Sequence, residues 1–367
     1  MRLSSLLLFT FLITIAFPVL GQSPDRVKIA IIGLTHDHIG FMGNPSFLER
    51  VEIVGVAETN DTLRAKYAKA FGWSDKILFD DWSKMVGKTK PDGVMVFTSP
   101  YEHLEAVKIC APLGVHVMVE KPFAVSMEHA NEMMMLAREY EILLLTNYET
   151  TWYASNHAAY AALREEGSLG SLRKVVVHDG HYGPKELGCT PEFLEWLFDA
   201  KLNGGGALTD FGCYGANLIT WLMDGEKPRS VMAVTQQMKT DPVYAEVDDE
   251  ATIILTYPEM QGVIQASWNW PYNRKDMEIY GTKGFFHPQN GSEALYREDE
   301  ETETVRLSFE PREAPYNNPV TFFAACIRGE ISPAGTLSSM GNNLIVTEIL
   351  DAARESAKTG KVVRLDE

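Results

Sequence analysis

A lysine set directly after a run of strand-forming apolar residues is a rare placement. In this chain Val115-His116-Val117-Met118-Val119 leads at once into Glu120-Lys121-Pro122. Lysine is seldom buried without a partner or a task. Burial beside a cationic group lowers an amine from about 10.4 toward neutrality, which suits proton transfer. Lys121 is therefore expected to do acid–base work with a lowered pKa. A second candidate set lies in Gly204-Gly205-Gly206-Ala207-Leu208-Thr209-Asp210-Phe211-Gly212-Cys213-Tyr214. On a helix, Asp210 and Tyr214 at i, i+4 share one face. The plainer alternatives are a capping aspartate and a core tyrosine.

The turn Gly33-Leu34-Thr35-His36-Asp37-His38 follows the strand-like Val27 to Ile32. Such a turn can hold a pyrophosphate against a helix N-terminus. The full fingerprint is GxGxxG. Only Gly33 keeps its glycine; Thr35 takes the second place and His38 the third. Gly33, Leu34, Thr35 and His36 are the expected phosphate contacts, with a threonine hydroxyl as donor and imidazole as added charge. His36-Asp37-His38 also invites a metal reading. Neighbouring ligands without a third partner are weak support, so no metal is expected. Asp37 reads as a helix cap and the histidines as loop residues.

Glu58 ends the second strand, where a carboxylate binds adenosine ribose hydroxyls and repels a 2′-phosphate. NAD is thus favoured over NADP; a solvated turn carboxylate is the alternative. Thr98, Pro100 and His103 follow the next apolar strand, and Glu120 the one after. In an open parallel sheet these strand ends line the cofactor crevice. An ordinary capping turn at 98–103 is an equal alternative.

These residues need a scaffold, and the chain is long enough for two domains: 367 residues, 45% hydrophobic and 23% charged. Residues 22–147 alternate apolar strands with amphipathic helices, which predicts a parallel, doubly wound Rossmann sheet. From 148 to 367 the strands are joined by short polar turns, as in Tyr257-Pro258-Glu259-Met260-Gln261. That predicts an α+β domain with a largely antiparallel open sheet. The stretch 297–304 reads as an exposed loop or hairpin. Helices are expected over 319–328 and 341–359, packing back on the first domain.

The net charge of −17 repels phosphate backbones and excludes nucleic acid as a partner. Arg2, the apolar run Leu6 to Leu20 and the small residues before Gln22 read as a secretory signal peptide over 1–21. The run is too short to span a bilayer comfortably. An exported, periplasmic or extracellular protein is expected, with no stable membrane insertion after signal removal. Cys110, Cys189, Cys213 and Cys326 form no CxxC pattern. They read as buried small hydrophobes; export permits a disulfide without establishing one.

The run from Pro91-Asp92-Gly93-Val94-Met95-Val96 through Glu120-Lys121-Pro122, with the glycine-rich Asp210/Tyr214 motif, resembles the Gfo/Idh/MocA oxidoreductase family. The resemblance implies hydride transfer between nicotinamide C4 and a carbinol carbon of a sugar or cyclic polyol. Lys121 would then hydrogen-bond the reacting oxygen, and Asp210 would orient substrate. Tyr214, where many members carry histidine, would be acid or base with its pKa lowered by Lys121. Trp152, Lys185, Trp196 and Trp268-Asn269-Trp270 are either sugar-site residues or core. Export would favour a tightly held nucleotide. A redox-neutral, NAD-dependent glycoside hydrolase and a non-catalytic sugar-binding protein are the two alternatives. The resemblance also implies a homodimer or homotetramer.

Overall fold

The computed structural model describes residues 26–365. The expected signal peptide lies outside the described residues. The first sheet contains β1 (Val27–Ile32), β2 (Val51–Ala57), β3 (Leu78–Phe79), β4 (Gly93–Val96), β5 (His116–Glu120) and β6 (Leu144–Asn147). All its pairings are parallel, in the order β3-β2-β1-β4-β5-β6. The strand order reverses between β1 and β4, which places a crevice at their C-terminal ends. Two-residue β3 carries no readable period, so the sequence did not announce it.

Helices α1 (Asp61–Phe71), α2 (Trp82–Thr89), α3 (His103–Cys110) and α4 (Met127–Glu139) connect the later strands. The β1–β2 connection is different. It holds two 3-10 helices, Asp37–Gly43 and Pro45–Leu48. Pro45 disfavours the α conformation at Asn44, so one long helix cannot run through. No regular helix N-terminus therefore faces the first turn.

The second sheet contains β7 (Leu172–Gly180), β8 (Ser230–Gln236), β9 (Glu250–Thr256), β10 (Gln261–Ser267), β11 (Arg274–Gly281), β12 (Phe285–Pro288), β13 (Glu293–Arg297), β14 (Val305–Ser308) and β15 (Val363–Arg364). Its order is β14-β13-β12-β11-β7-β10-β9-β8-β15. Only β7 and β10 run parallel; the other neighbours are antiparallel. The polar 297–304 stretch lies at the β13–β14 connection, so the hairpin form of that expectation is the one observed.

The remaining helices are α5 (Ala154–Tyr160), α6 (Pro184–Leu187), α7 (Pro191–Leu197), α8 (Ala200–Asn203), α9 (Ala207–Asp210), α10 (Gly212–Leu222), α11 (Pro319–Ile327) and α12 (Met340–Thr359). Ile219 of α10 and Ile349 of α12 share one core with Ile253 and Ile264 of the sheet. α11 returns to the first domain. Ala30 and Ile32 point to the face packed by α3 and α4, while Ile29 and Ile31 meet Val320 and Phe323 of α11 on the other. A Cβ on Gly93 would sit 2.8 Å from the Phe323 ring, so glycine is what lets α11 approach β4. All four cysteines are free thiols, and Cys110, Cys213 and Cys326 are buried. Among the described residues no helix is long and apolar enough to cross a membrane.

Candidate active site

A cleft of about 810 Å³ opens between the two sheets, with Asp37, His38 and Lys121 on one side and residues of the second domain on the other. Lys121 enters it from the end of β5, with a cis peptide to Pro122. Its ammonium pairs with the Asp210 carboxylate and also donates to the Asp210 carbonyl at 3.1 Å. The indole N–H of buried Trp268 donates to the other Asp210 oxygen at 3.0 Å.

The protonation states differ from the sequence expectation. Burial, the strongest single influence, pulls the Lys121 pKa down, but the Asp210 carboxylate and weaker acidic neighbours more than reverse it. The net shift is upward. For Asp210, burial pushes the pKa up and Lys121 more than cancels it, so its net shift is downward. The pair is ionic, and Lys121 is a charged donor rather than a neutral base. Tyr214 is also corrected: burial first, then Glu149 and other acidic groups, raise its phenol well above the usual value.

Asp210 and Tyr214 both line the cleft, but not from one helix. α9 ends at Asp210, α10 begins at Gly212, and Phe211 forms the joint. Lys121 Nζ lies 5.2 Å from the Tyr214 ring centroid, and Lys275 Nζ lies 4.6 Å from it.

Lys275, Asp179, Glu149 and His181 were missed by sequence reasoning. Lys275 is the second residue of β11 and sits opposite Asp179 of β7 in the ladder. It pairs with Glu149 at 2.5 Å. Burial raises Glu149, but Lys275 and the Tyr153 hydroxyl together bring it down to about 2. Burial likewise opposes charge on Lys275, and Asp179 and Glu149 outweigh it, a net upward shift. Asp179 is 1% exposed and neither carboxylate oxygen has a hydrogen-bond partner. Burial, its largest influence, raises its pKa well above the usual range against the opposing pull of Lys275 and Lys121. His181 is held neutral, its pKa lowered to about 4 chiefly by burial. The signal available was His178-Asp179 ending an apolar strand, Val175-Val176-Val177; strand pairing alone reveals its partner.

The nucleotide candidates cluster at the strand ends as the topology requires. Gly33 adopts φ +76°, and a Cβ there would lie 2.2 Å from the Thr98 side chain. Leu34, His36, Glu58, Thr98, His103 and Glu120 are all buried, as is Pro100. The cover is α7 and α8. Trp196 of α7 donates to the Thr35 carbonyl at 3.4 Å. Lys201 of α8 lies 5.1 Å from the Tyr101 ring. The Glu58 carboxylate is used within the turn, accepting from the Leu34 and Asn60 amides at 2.8 and 2.9 Å. His103 Nδ1 lies 3.1 Å from the Phe123 carbonyl, and burial lowers its pKa to about 4. Thr35 Oγ1 and His103 Nε2 are buried without partners. These orphaned polar atoms fit the hydroxyls and phosphates of a nucleotide, provided α7 and α8 move aside.

The structure corrects one expectation and places three sugar-site candidates outside the cleft. Asp37 does not cap its own helix; its carboxylate accepts the Thr190 amide and hydroxyl at 3.0 and 2.5 Å, and His36 is the cap. Trp152 packs edge-on against Phe322 and donates to Asn147 at 3.0 Å, outside the cleft. Lys185 pairs with Asp241 on the surface. Trp196 packs on His36 at 5.5 Å. Instead, the cleft takes its aromatic wall from Tyr153, Phe193, Phe211, Tyr214 and Tyr272. The indoles of Trp196 and Trp268 are buried, where their large area contributes to packing.

Comparison with known proteins agrees with this architecture. Residues 27–148 match the profile of an oxidoreductase family with an NAD-binding Rossmann fold. Residues 157–287 match the GFO/IDH/MocA C-terminal domain. The chain is 30% identical over 190 residues to trans-1,2-dihydrobenzene-1,2-diol dehydrogenase of Macaca fuscata fuscata, covering 52% of each chain. It thus spans about half the length of that relative. It is 26% identical over 298 residues to D-xylose 1-dehydrogenase [NADP(+)] of Haloarcula marismortui, covering 79% of each. Aldose-aldose oxidoreductase from Caulobacter crescentus, solved with glycerol, superposes with a TM-score of 0.79 at 22% identity, over 93% of this chain and 100% of that one. Because both domain profiles match in order along one chain, and the two sheets and the Lys121–Asp210 pair stand where those domains meet, the protein belongs to the GFO/IDH/MocA oxidoreductase family.

Proposed function

We propose that the protein is a nicotinamide-dependent oxidoreductase acting at a carbinol or carbonyl carbon of a sugar or cyclic polyol. The observation that carries this reading is the buried Lys121–Asp210 ion pair, set at a Rossmann strand end and facing a polar, aromatic cleft. The nucleotide, when bound, supplies or accepts the hydride. Lys121 donates a hydrogen bond to the substrate oxygen and stabilises negative charge there. Preorganised donors of this kind are often the largest contribution to rate. Asp210, fixed by Trp268, keeps the ammonium charged and aimed. Tyr214 and Lys121 are both protonated at neutral pH, which suits proton donation to the alkoxide formed on carbonyl reduction. NAD is preferred to NADP, because the Glu58 carboxylate stands at the end of β2. The reading of residues 1–21 as an export signal supports a tightly held nucleotide.

One observation favours a second reading, a sugar-binding protein without nucleotide: α7 and α8 already bury the strand ends. Titration with NADH, followed by nicotinamide fluorescence, separates the two. Binding, with carbonyl-dependent NADH oxidation across an aldose and ketose panel, is expected. No binding by either NADH or NADPH would leave the sugar-binding reading standing.

We also propose a homo-oligomer built on the open face of the second sheet. Met232, Ile254, Val263 and Val176 lie side by side across β8, β9, β10 and β7. Met232 is 39% exposed. Val263→Glu would put a charge in the centre of that row. Light scattering is expected to show a dimer or tetramer for the native chain and a monomer for the variant. A monomeric native chain overturns the proposal.

A further inference from the structure

We propose that His36, His38 and Glu120 bind one divalent transition-metal ion of the zinc(II) or iron(II) class beside the cleft. Two histidines one residue apart lack a third ligand in the sequence. The fold supplies it, because β5 ends beside the turn that follows β1. One ring nitrogen from each histidine and one oxygen of Glu120 lie within 4.8 Å of one another. His38 Nδ1 and Glu120 Oε2 are already 2.8 Å apart. Ligands around a tetrahedral zinc ion stand roughly 3.3 Å from each other, given bonds of about 2.0–2.2 Å. Small side-chain rotations therefore close the set around an ion.

An independent observation points to a ligand. His36 is 1% exposed, and its Nε2 has no hydrogen-bond partner. Its Nδ1 lies 3.2 Å from the His38 amide, a long contact. Coordination through Nε2 requires Nδ1 to carry the proton and give up that contact. The rings of Phe193 and Trp196, 5.1 and 5.5 Å away, fix the imidazole. The other oxygen of Glu120 accepts from Asn147 Nδ2 at 2.7 Å. Outer hydrogen bonds of this sort orient metal-binding carboxylates.

Two imidazoles and one carboxylate suit zinc or iron rather than magnesium or calcium, which take oxygen ligands. Three protein ligands leave coordination positions open, the pattern of a site that meets a substrate oxygen. Of the three ligands His38 lines the cleft, so the set lies at its edge. His38, which stands in the third glycine's place in the turn, and its neighbour His36 thus acquire a role. The inference does not rest on the hydride-transfer reading.

The test uses the whole protein, stripped by a chelator and titrated with Co(II), with visible d–d absorption as the readout and Zn(II) as competitor. Saturation at about one equivalent with a tetrahedral or five-coordinate spectrum is expected. Asn147→Ala should weaken affinity about tenfold, and His38→Ala and Glu120→Gln more than that. Glu120→Gln preserves side-chain shape, and circular dichroism verifies folding of each variant. No cobalt spectrum in the native chain, or equal affinity in folded His38→Ala and Glu120→Gln, overturns the proposal.

Discussion

Lys121→Met is expected to lower kcat/KM for the carbonyl substrate by about 10³-fold, the loss typical of removing a charged donor at a developing oxyanion. Methionine keeps most of the side-chain volume and removes the charge. Among the described residues it also leaves the buried Asp210 carboxylate with Trp268 as its remaining side-chain donor. Breaking one half of a buried pair costs about 3–5 kcal/mol, so urea denaturation should show a marked loss of stability. The double variant Lys121→Met/Asp210→Asn removes the stranded charge. It should recover most of the stability and none of the activity. That split separates catalysis from folding. Near-native turnover in the folded double variant would refute the assignment of Lys121.

Asp179→Asn is expected to stabilise the protein at neutral pH and to flatten its pH dependence. The sign follows from the raised pKa of the buried carboxyl. In the unfolded chain Asp179 loses its proton near 3.9, whereas burial raises its pKa in the fold. Above that pH the unfolded state binds fewer protons than the folded one, so stability falls as pH rises toward the folded pKa. The slope for one such group reaches about 1.4 kcal/mol per pH unit. The stability difference between the variant and the native chain should therefore widen from about pH 4 upward. Parallel denaturation curves across that range would show Asp179 to be ionised in the fold. A cavity of about 10 Å³ bounded by Thr150, Asp179 and Lys275 is near the smallest space that holds one water. A water there would give Asp179 a partner and reduce the slope.

The first sheet was legible because its buried strands are nearly continuous apolar runs, and glycines or turns mark their ends. Its short β3 was not, nor was the replacement of a helix by 3-10 turns after β1. Of the site, Lys121 was legible because an ammonium at a strand end has no structural reason to be there. Its charge state was not, since that depends on Asp210, which the chain brings near only through the packing of α9. The tryptophans misled for the opposite reason: a large aromatic serves a core and a sugar site equally well, and only its neighbours decide. Lys275 and Asp179 lie far apart in sequence and meet through antiparallel register.

The amino-acid sequence determined the two-domain plan, the strand-end position of Lys121 and the partnership of Asp210 and Tyr214 in one motif. These follow from local periodicity and from residue chemistry, which need no long-range contact. Tertiary structure alone decided that Lys121 is a charged donor, that a second lysine faces Tyr214, that α7 and α8 cover the strand ends, and that Glu120 joins His36 and His38. Each of those depends on which residues distant in the chain share a low-dielectric interior, where proximity sets protonation and contact.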